Sequence, residues 1–179
     1  MTDVKWIDTP EVAKIIRKEL KAAYPDTKFS VRSSRYAGGS SIRVHWTDGP
    51  TDGQVKQITS KYEGATFDGM IDLQSYVDHE VDGERVHYGS DYIFEDRDYS
   101  REFLDRVAAY VAFFWDQEKP EPVGNWFKET YVAINGNGPI NTLVDHIREA
   151  LMYAYIKDDI LMFTATGRTS LPNWLAEGE

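Results

Sequence analysis

The sequence contains no cysteine, and this absence excludes several kinds of chemistry. Without thiols the chain has no disulfide framework, no thiolate nucleophile and no cysteine-bearing zinc site. The first residues also lack the charged and then apolar pattern of a secretion signal. The longest uncharged apolar run, residues 107–115, is shorter than the roughly 18 residues that a membrane span requires. We therefore expect a cytoplasmic protein that does not enter a membrane.

Negative charge is in excess, but it is distributed unevenly along the chain. The formal net charge is −10, with a balance of +4 over residues 1–61 and of −14 over residues 62–179. Carboxylates at high local density repel one another and create a negative potential that suits a cationic partner. We predict an acidic binding surface, called the acidic set below, made of Asp78, Glu80, Asp82, Glu84, Asp91, Glu95, Asp96 and Asp98.

The segment 28–51 has two alternating strand patterns on either side of a glycine-rich turn. Ile42, Val44 and Trp46 alternate with polar residues, which predicts a hairpin with one buried face. The predicted basic hairpin face consists of Lys28, Arg32, Arg35, Arg43 and His45. Cations interleaved with aromatic residues favour nucleic acid or another anion as partner, and the competing interpretation is that they pair with the protein's own carboxylates.

Four helices are predicted around this hairpin. Thr9 is the predicted N-cap of the first helix, with Pro10 at its first position. Residues 51–54 have the spacing of a capping box, and Ser100 is a third N-cap. A strand is predicted over 126–134, followed by a turn at 135–139, a last helix that begins near Ile140, and a short strand over 160–163. The fold class is therefore α+β, an antiparallel sheet built from hairpins and packed with about four helices. We expect residues 1–179 to form a single compact domain.

The third helix is apolar almost all round between Val107 and Trp115. Such a helix is buried on several sides, either within the monomer or against a second copy. The chain is therefore expected to be a monomer or a homodimer, with the monomer favoured because the last helix supplies a matching apolar stripe.

No catalytic motif is present, and the residues that come nearest to one are histidines. His79 and His87 lie on opposite arms of a predicted hairpin with an Asp82–Gly83 turn, so with Asp78 and Glu80 they are a candidate divalent-metal site. The structural alternative, unrelated histidines in an exposed hairpin, is favoured. The glycine-rich turn at 36–41 joins two strands rather than a strand and a helix, so a plain turn is favoured over a phosphate-binding loop. We predict no catalytic residue, no metal and no cofactor.

Three segments resemble the domain family associated with large polyvalent proteins of phages and conjugative elements. They are residues 28–51, residues 67–72 (Phe-Asp-Gly-Met-Ile-Asp) and residues 86–91 (Val-His-Tyr-Gly-Ser-Asp). The resemblance covers roughly residues 9–99 and leaves 100–179 as a helix-strand-helix extension. It implies a mobile-element α+β domain with suspected roles in evading host defences, and it supplies no catalytic residues.

The leading hypothesis is a non-enzymatic accessory protein that binds and inhibits a host defence component, a restriction or CRISPR effector. Its acidic set would imitate the phosphates of DNA, which place one charge about every 1.7 Å along the duplex. The alternative is a nucleic-acid-binding module that uses the basic hairpin face. A third hypothesis is an enzyme with a carboxylate–histidine site around His79 and His87.

Overall fold

The computed structural model describes residues 4–68, 73–116, 118 and 143–164. The chain divides into two compact units, Met1–Asp98 (unit 1) and Tyr99–Glu179 (unit 2). The predicted division between residues 9–99 and the extension 100–179 stays a prediction, and so does the expectation that the whole chain forms a single compact domain.

Unit 1 contains two α-helices and eight strands among its described residues. In chain order these are β1 (Lys5–Ile7), α1 (Thr9–Ala23), β2 (Ser30–Tyr36), β3 (Gly39–Thr47), α2 (Asp52–Thr59), β4 (Ala65–Asp68), β5 (Leu73–Tyr76), β6 (Asp78–Val81), β7 (Glu84–Tyr88) and β8 (Tyr92–Asp98). Unit 2 contains α3 (Arg101–Phe114), α4 (Leu143–Tyr153), β9 (Ala154–Lys157) and β10 (Ile160–Phe163). These elements confirm the α+β class.

The helix starts follow from short sequence signals, with one correction. The N-cap of α1 is Asp8, and Thr9 is the first helical residue, with Pro10 in the first turn. Thr9 instead donates its hydroxyl hydrogen bond to the Gly89 carbonyl, so its polar group serves a long-range contact. The capping box of α2 is confirmed, because Thr51 Oγ1 accepts from Gln54 N and Gln54 accepts from Thr51 N.

Two three-stranded sheets organise unit 1. The first has the order β2-β3-β8, and the second has the order β1-β7-β6. The hairpin pairs β2–β3 and β6–β7 are antiparallel as predicted, whereas β3–β8 and β1–β7 are parallel. The sheets are therefore mixed, because strands far apart in the chain complete them alongside the hairpins.

The core of unit 1 lies between one face of the β2-β3-β8 sheet and the two helices. Ile42, Val44 and Trp46 are buried on β3 as predicted, and they pack with Val12, Ile16, Leu20 and Val55 from α1 and α2. The Trp46 indole N–H donates to the Pro50 carbonyl at 2.9 Å, which satisfies the buried polar group. This packing leaves the other face of the sheet exposed.

Unit 2 has a core of its own, between α3 and α4. Phe103, Val107 and Val111 of α3 are buried together with Ile147 and Leu151 of α4. Not every apolar residue of α3 is buried, because Phe113 is 87% exposed. The strand at 126–134, the turn at 135–139 and the start of the last helix near Ile140 lie outside the described residues. The strand at 160–163 is confirmed as β10.

Candidate functional site

The exposed face of the β2-β3-β8 sheet, called the outer sheet face, carries its side chains in cross-strand rows. Arg32 lies opposite Arg43, and Arg43 lies opposite Phe94, so one row crosses the three strands. Because residues in register share a face of a sheet, these three side chains are neighbours. The Arg43 guanidinium lies 5.9 Å from the centre of the Phe94 ring, within the range of a cation–π contact.

Two aromatic residues of this face were not singled out from the sequence. Phe94 is 48% exposed, and its ring lies 6.4 Å from that of Tyr92 with an angle of 28° between the planes. In β8 they alternate with the buried Ile93 and the half-buried Glu95, so the available signal was the alternation of Tyr92 and Phe94. That signal was masked by the run of acidic residues around it.

The predicted basic hairpin face is only partly one surface. Arg32 and Arg43 are exposed on the outer sheet face, His45 is half-buried there, and Lys28 is exposed just before β2. Arg35 belongs to the opposite alternation of β2 and forms an ion pair with Asp8. Three of the five residues, Arg32, Arg43 and His45, therefore share the outer sheet face, and Arg35 is separated from them.

Carboxylates of β8 neutralise part of this face. Arg43 Nη1 is 2.7 Å from Asp96 Oδ2, and His45 Nε2 is 2.8 Å from Asp98 Oδ2. Two cations of the basic hairpin face, Arg43 and His45, therefore pair with the protein's own carboxylates, as the competing interpretation of this face holds. Arg32 has no ion pair or hydrogen bond among the described residues, and its charge is available to a ligand.

The acidic set is divided between the two sheets instead of forming one continuous row. Asp78, Glu80, Asp82 and Glu84 belong to the β6–β7 hairpin, and Glu95, Asp96 and Asp98 belong to β8. Asp91 accepts from the Ser40 backbone N–H at 2.6 Å, and Glu84 lies 3.6 Å from Lys5. Its use as a binding surface stays a prediction.

Glu95 lies on the inner side of β8 and serves the fold. Its carboxylate accepts a hydrogen bond from the Thr59 hydroxyl of α2. Burial raises the pKa of Glu95 above 4.5, and burial together with the nearby Glu95 charge raises the pKa of Glu63. A carboxylate placed in this way is a poor imitation of an exposed phosphate.

His79 and His87 point to opposite faces of the β6–β7 hairpin. His79 lies opposite Val86, whereas His87 lies opposite Asp78. The described residues contain no group of three or more side chains suited to hold a metal ion, so the candidate metal site does not assemble. His87 instead bonds Asp78, with 3.1 Å between Nδ1 and Oδ1.

A cleft of about 780 Å³ lies beside His87, between the β1-β7-β6 sheet and the tip of the β2–β3 hairpin. Trp6 of β1 lies opposite His87 of the central strand β7, and Asp78 of β6 lies on the other side. The cleft is lined by Trp6, Asp8, Thr9, Arg35, Tyr36, Gly38, Gly39, Ser40, Tyr76, His87, Gly89 and Asp91. The hydrogen bond from His87 and the Arg85 guanidinium lower the pKa of the Asp78 carboxyl below 3.8.

The chain matches the model of a known protein family. The model of the family described as Large polyvalent protein associated domain 29 matches residues 7–100, just over half of the 179 residues. The chain belongs to this family. No curated protein and no solved structure matches the chain.

Membership in the Large polyvalent protein associated domain 29 family indicates a protein of phages and other mobile genetic elements. The match ends within two residues of the end of unit 1, so the outer sheet face and every residue of the cleft except Trp6 lie within the matched residues. Unit 2 lies almost wholly outside the match. Among the described helices, none is long and apolar enough to cross a membrane.

Proposed function

We propose that the family domain of this mobile-element protein binds single-stranded nucleic acid through its outer sheet face. The observation that carries the proposal is the exposed Phe94 ring, flanked by Tyr92 and held beside Arg43 and Arg32 on an open sheet. Single-stranded nucleic acids bind to surfaces of this kind by stacking bases on aromatic rings and placing phosphates beside cations.

Stacking of bases on the aromatic rings is expected to contribute most of the binding free energy at the outer sheet face. Base–aromatic stacking contributes about 1–3 kcal/mol per base and depends little on sequence. The face carries two such rings, those of Tyr92 and Phe94, whereas Trp46 is buried in the core. A duplex hides the faces of its bases, so the surface favours single strands.

Charge makes a smaller contribution here than in a strongly basic protein. Asp96 and Asp98 form ion pairs with Arg43 and His45, and the chain as a whole has a net charge of −10. Phosphates must compete with these carboxylates, so binding is expected to depend only weakly on salt. Each cation that contacts a phosphate of a single strand adds about 0.7 to the slope of log K against log salt concentration.

Fluorescence anisotropy with labelled single-stranded and duplex oligonucleotides tests the proposal. Phe94→Ala should weaken single-strand binding about fivefold or more, and Arg32→Ala should weaken it and flatten the salt dependence. Phe113→Ala is the matched control, because it removes a still more exposed phenyl ring from unit 2. Asp96→Asn should strengthen binding, because it releases Arg43 from its ion pair.

The outcome that contradicts the proposal is equally specific. A wild-type protein that binds no single strand at low salt would refute it, and so would binding that Phe94→Ala and Phe113→Ala weaken equally. Circular dichroism of each variant separates lost binding from lost fold.

Binding of a host defence protein by the acidic set is the second candidate. It is supported by the β6–β7 hairpin, where Glu80, Asp82 and Glu84 are all exposed around one turn. Neutralising these three as Glu80→Gln, Asp82→Asn and Glu84→Gln should abolish a salt-sensitive complex with a nuclease effector. Neutralising the exposed Asp26, Glu102 and Glu118 is the control. If no effector in a panel forms a complex at low or high salt, this candidate is refuted.

A further inference from the structure

We propose that the cleft between the β1-β7-β6 sheet and the hairpin tip is a nucleotide-binding site, with the base stacked against Trp6 and Tyr76. His87 lies at its buried side and Arg35 at its rim. This site is distinct from the outer sheet face, and the inference does not depend on nucleic acid binding there.

The first observation is a buried histidine with one unused ring nitrogen. The His87 side chain is 8% exposed, and the residue lines the cleft. Because the Asp78 carboxylate only accepts hydrogen bonds, Nδ1 of His87 is the donor to it. No described residue bonds Nε2, so this buried ring nitrogen suits a polar group of a ligand.

The second observation is the number of exposed aromatic rings around one cleft. Trp6, Tyr36 and Tyr76 are 62%, 51% and 69% exposed. Trp6 stacks on His87, with 4.6 Å between ring centres and 24° between the planes, and Tyr76 meets the same imidazole edge-on at 5.7 Å. Large aromatic surfaces left in water beside a concave site are typical of sites for planar ligands.

Two glycines allow these rings to lie close to the backbone. A Cβ atom at Gly89 would lie 3.0 Å from the Trp6 indole and 3.1 Å from the Ile7 carbonyl oxygen. A Cβ atom at Gly39 would lie 2.9 Å from Asp91 and 3.1 Å from the Tyr36 ring. Side chains at either position would therefore displace an aromatic wall or close part of the cleft.

The third observation concerns charge and size. Arg35 is exposed at the rim in an ion pair with Asp8, which is also accessible, so an anionic group must compete with that carboxylate for the guanidinium. A volume of about 780 Å³ lies within the range of roughly 300–1,000 Å³ found for small-molecule sites. An aromatic wall, a buried ring nitrogen and an exposed guanidinium together match the base and the phosphate of a nucleotide.

Isothermal titration calorimetry of the full chain with the four nucleoside 5′-monophosphates tests this site. Trp6→Ala and Tyr76→Ala should each weaken binding about fivefold or more. Arg35→Gln should weaken the binding of nucleotides more than the binding of nucleosides, because nucleosides lack the phosphate. Trp115→Ala is the matched control, because Trp115 forms a similar stack with His146 in unit 2.

The source of the nucleotide is decided by competition. Displacement of a bound mononucleotide by a linear oligonucleotide, but not by a circular single strand, assigns the site to a strand end. If neither the linear nor the circular strand displaces the mononucleotide, the site is assigned to a free nucleotide. Either of these two assignments supports the proposed site. It is overturned if none of the four nucleotides binds at millimolar concentration, if inorganic phosphate binds as tightly as they do, or if Trp6→Ala and Tyr76→Ala both leave affinity unchanged while circular dichroism shows a native fold.

Discussion

The two units each contain a tryptophan stacked on a histidine, and the two pairs have different structural roles. Trp6 and His87 lie on neighbouring strands of unit 1, whereas Trp115 follows the end of α3 in unit 2 and meets His146 of α4 at 4.5 Å and 18°. In unit 1 the imidazole is fixed by Asp78 and lines a cleft, while in unit 2 the stack joins two helices. A tryptophan–histidine stack therefore contributes to a candidate site in unit 1 and to helix packing in unit 2.

The cores of the two units differ in a parallel way. Unit 1 buries one face of a sheet under two helices and leaves the other face open, whereas unit 2 pairs α3 with α4. The family match stops where the first core stops. Each unit should consequently respond to a substitution in its own core without transmitting the full loss to the other.

The largest expected effect is that of Val111→Asp in unit 2. Val111 is fully buried, so a carboxylate there has neither water nor a partner, and we expect a loss of about 4 kcal/mol or more. Hydrogen–deuterium exchange should show lost protection in α3 and α4 and retained protection in β3. A folded, soluble monomer with native protection would show instead that this side of α3 is an interface between copies.

Trp46→Ala is the counterpart in unit 1. It empties the largest fully buried site and removes the donor to the Pro50 carbonyl, so a loss of about 3–5 kcal/mol is expected. Exchange should now increase in β2, β3 and β8 while α4 stays protected. Equal loss of protection in both units would show that they unfold as one cooperative body and would remove the basis of the comparison.

Substitutions at the helix caps of the two units are expected to cause smaller losses in the free energy of unfolding. Thr51→Ala and Ser100→Ala should each cost about 1 kcal/mol, as measured by urea unfolding. The larger loss is expected for Thr51, whose cap of α2 is a reciprocal capping box, whereas Ser100 Oγ accepts from Phe103 N at 3.1 Å at the start of α3. Thr51→Ser keeps the hydroxyl and serves as the control. A loss at Thr51→Ser equal to that at Thr51→Ala would assign the effect to the methyl group.

The smallest effect is expected for Glu95→Gln, and it depends on pH. Because burial raises the folded-state pKa of Glu95 above 4.5, the protonated form stabilises unit 1, and this contribution is lost as pH rises through the raised value. Glutamine is neutral throughout and keeps an acceptor for Thr59. The variant should therefore unfold at higher urea concentration than the wild type near pH 7 and lose this advantage near pH 4. A difference that does not change with pH would contradict this account.

Local signals predicted much of the fold. The capping box at Thr51, the cap at Ser100 and the Asp82–Gly83 turn, where both residues have positive φ, depend only on neighbours in sequence. The parallel pairs β1–β7 and β3–β8 were not predicted, because register between distant strands is set by the whole core rather than by a local pattern. The N-cap was misplaced by one residue for the same reason, since Thr9 bonds Gly89.

The site was harder to predict than the fold. Exposure of Arg32 and Arg43 followed from strand alternation, and that part of the basic hairpin face is where it was expected. The parallel pairing then placed Asp96 and Asp98 beside its cations, so segregation of charge along the sequence did not become segregation on the surface. The cleft needed the same kind of information, because Trp6, Asp78 and His87 meet only through sheet pairing.

The parallel pairings also determine when unit 1 is able to fold during synthesis. Residue 5 lies opposite residue 86, and residue 41 lies opposite residue 92, so neither sheet is complete until β7 and β8 have been made. Pairs of such high contact order form late, after a large loss of chain entropy on loop closure. A nascent chain that ends before β8 leaves one edge of β3 without its ladder, and such an edge is prone to aggregation. The point at which the family match ends is therefore also the first point at which a growing chain has the strands to close both sheets.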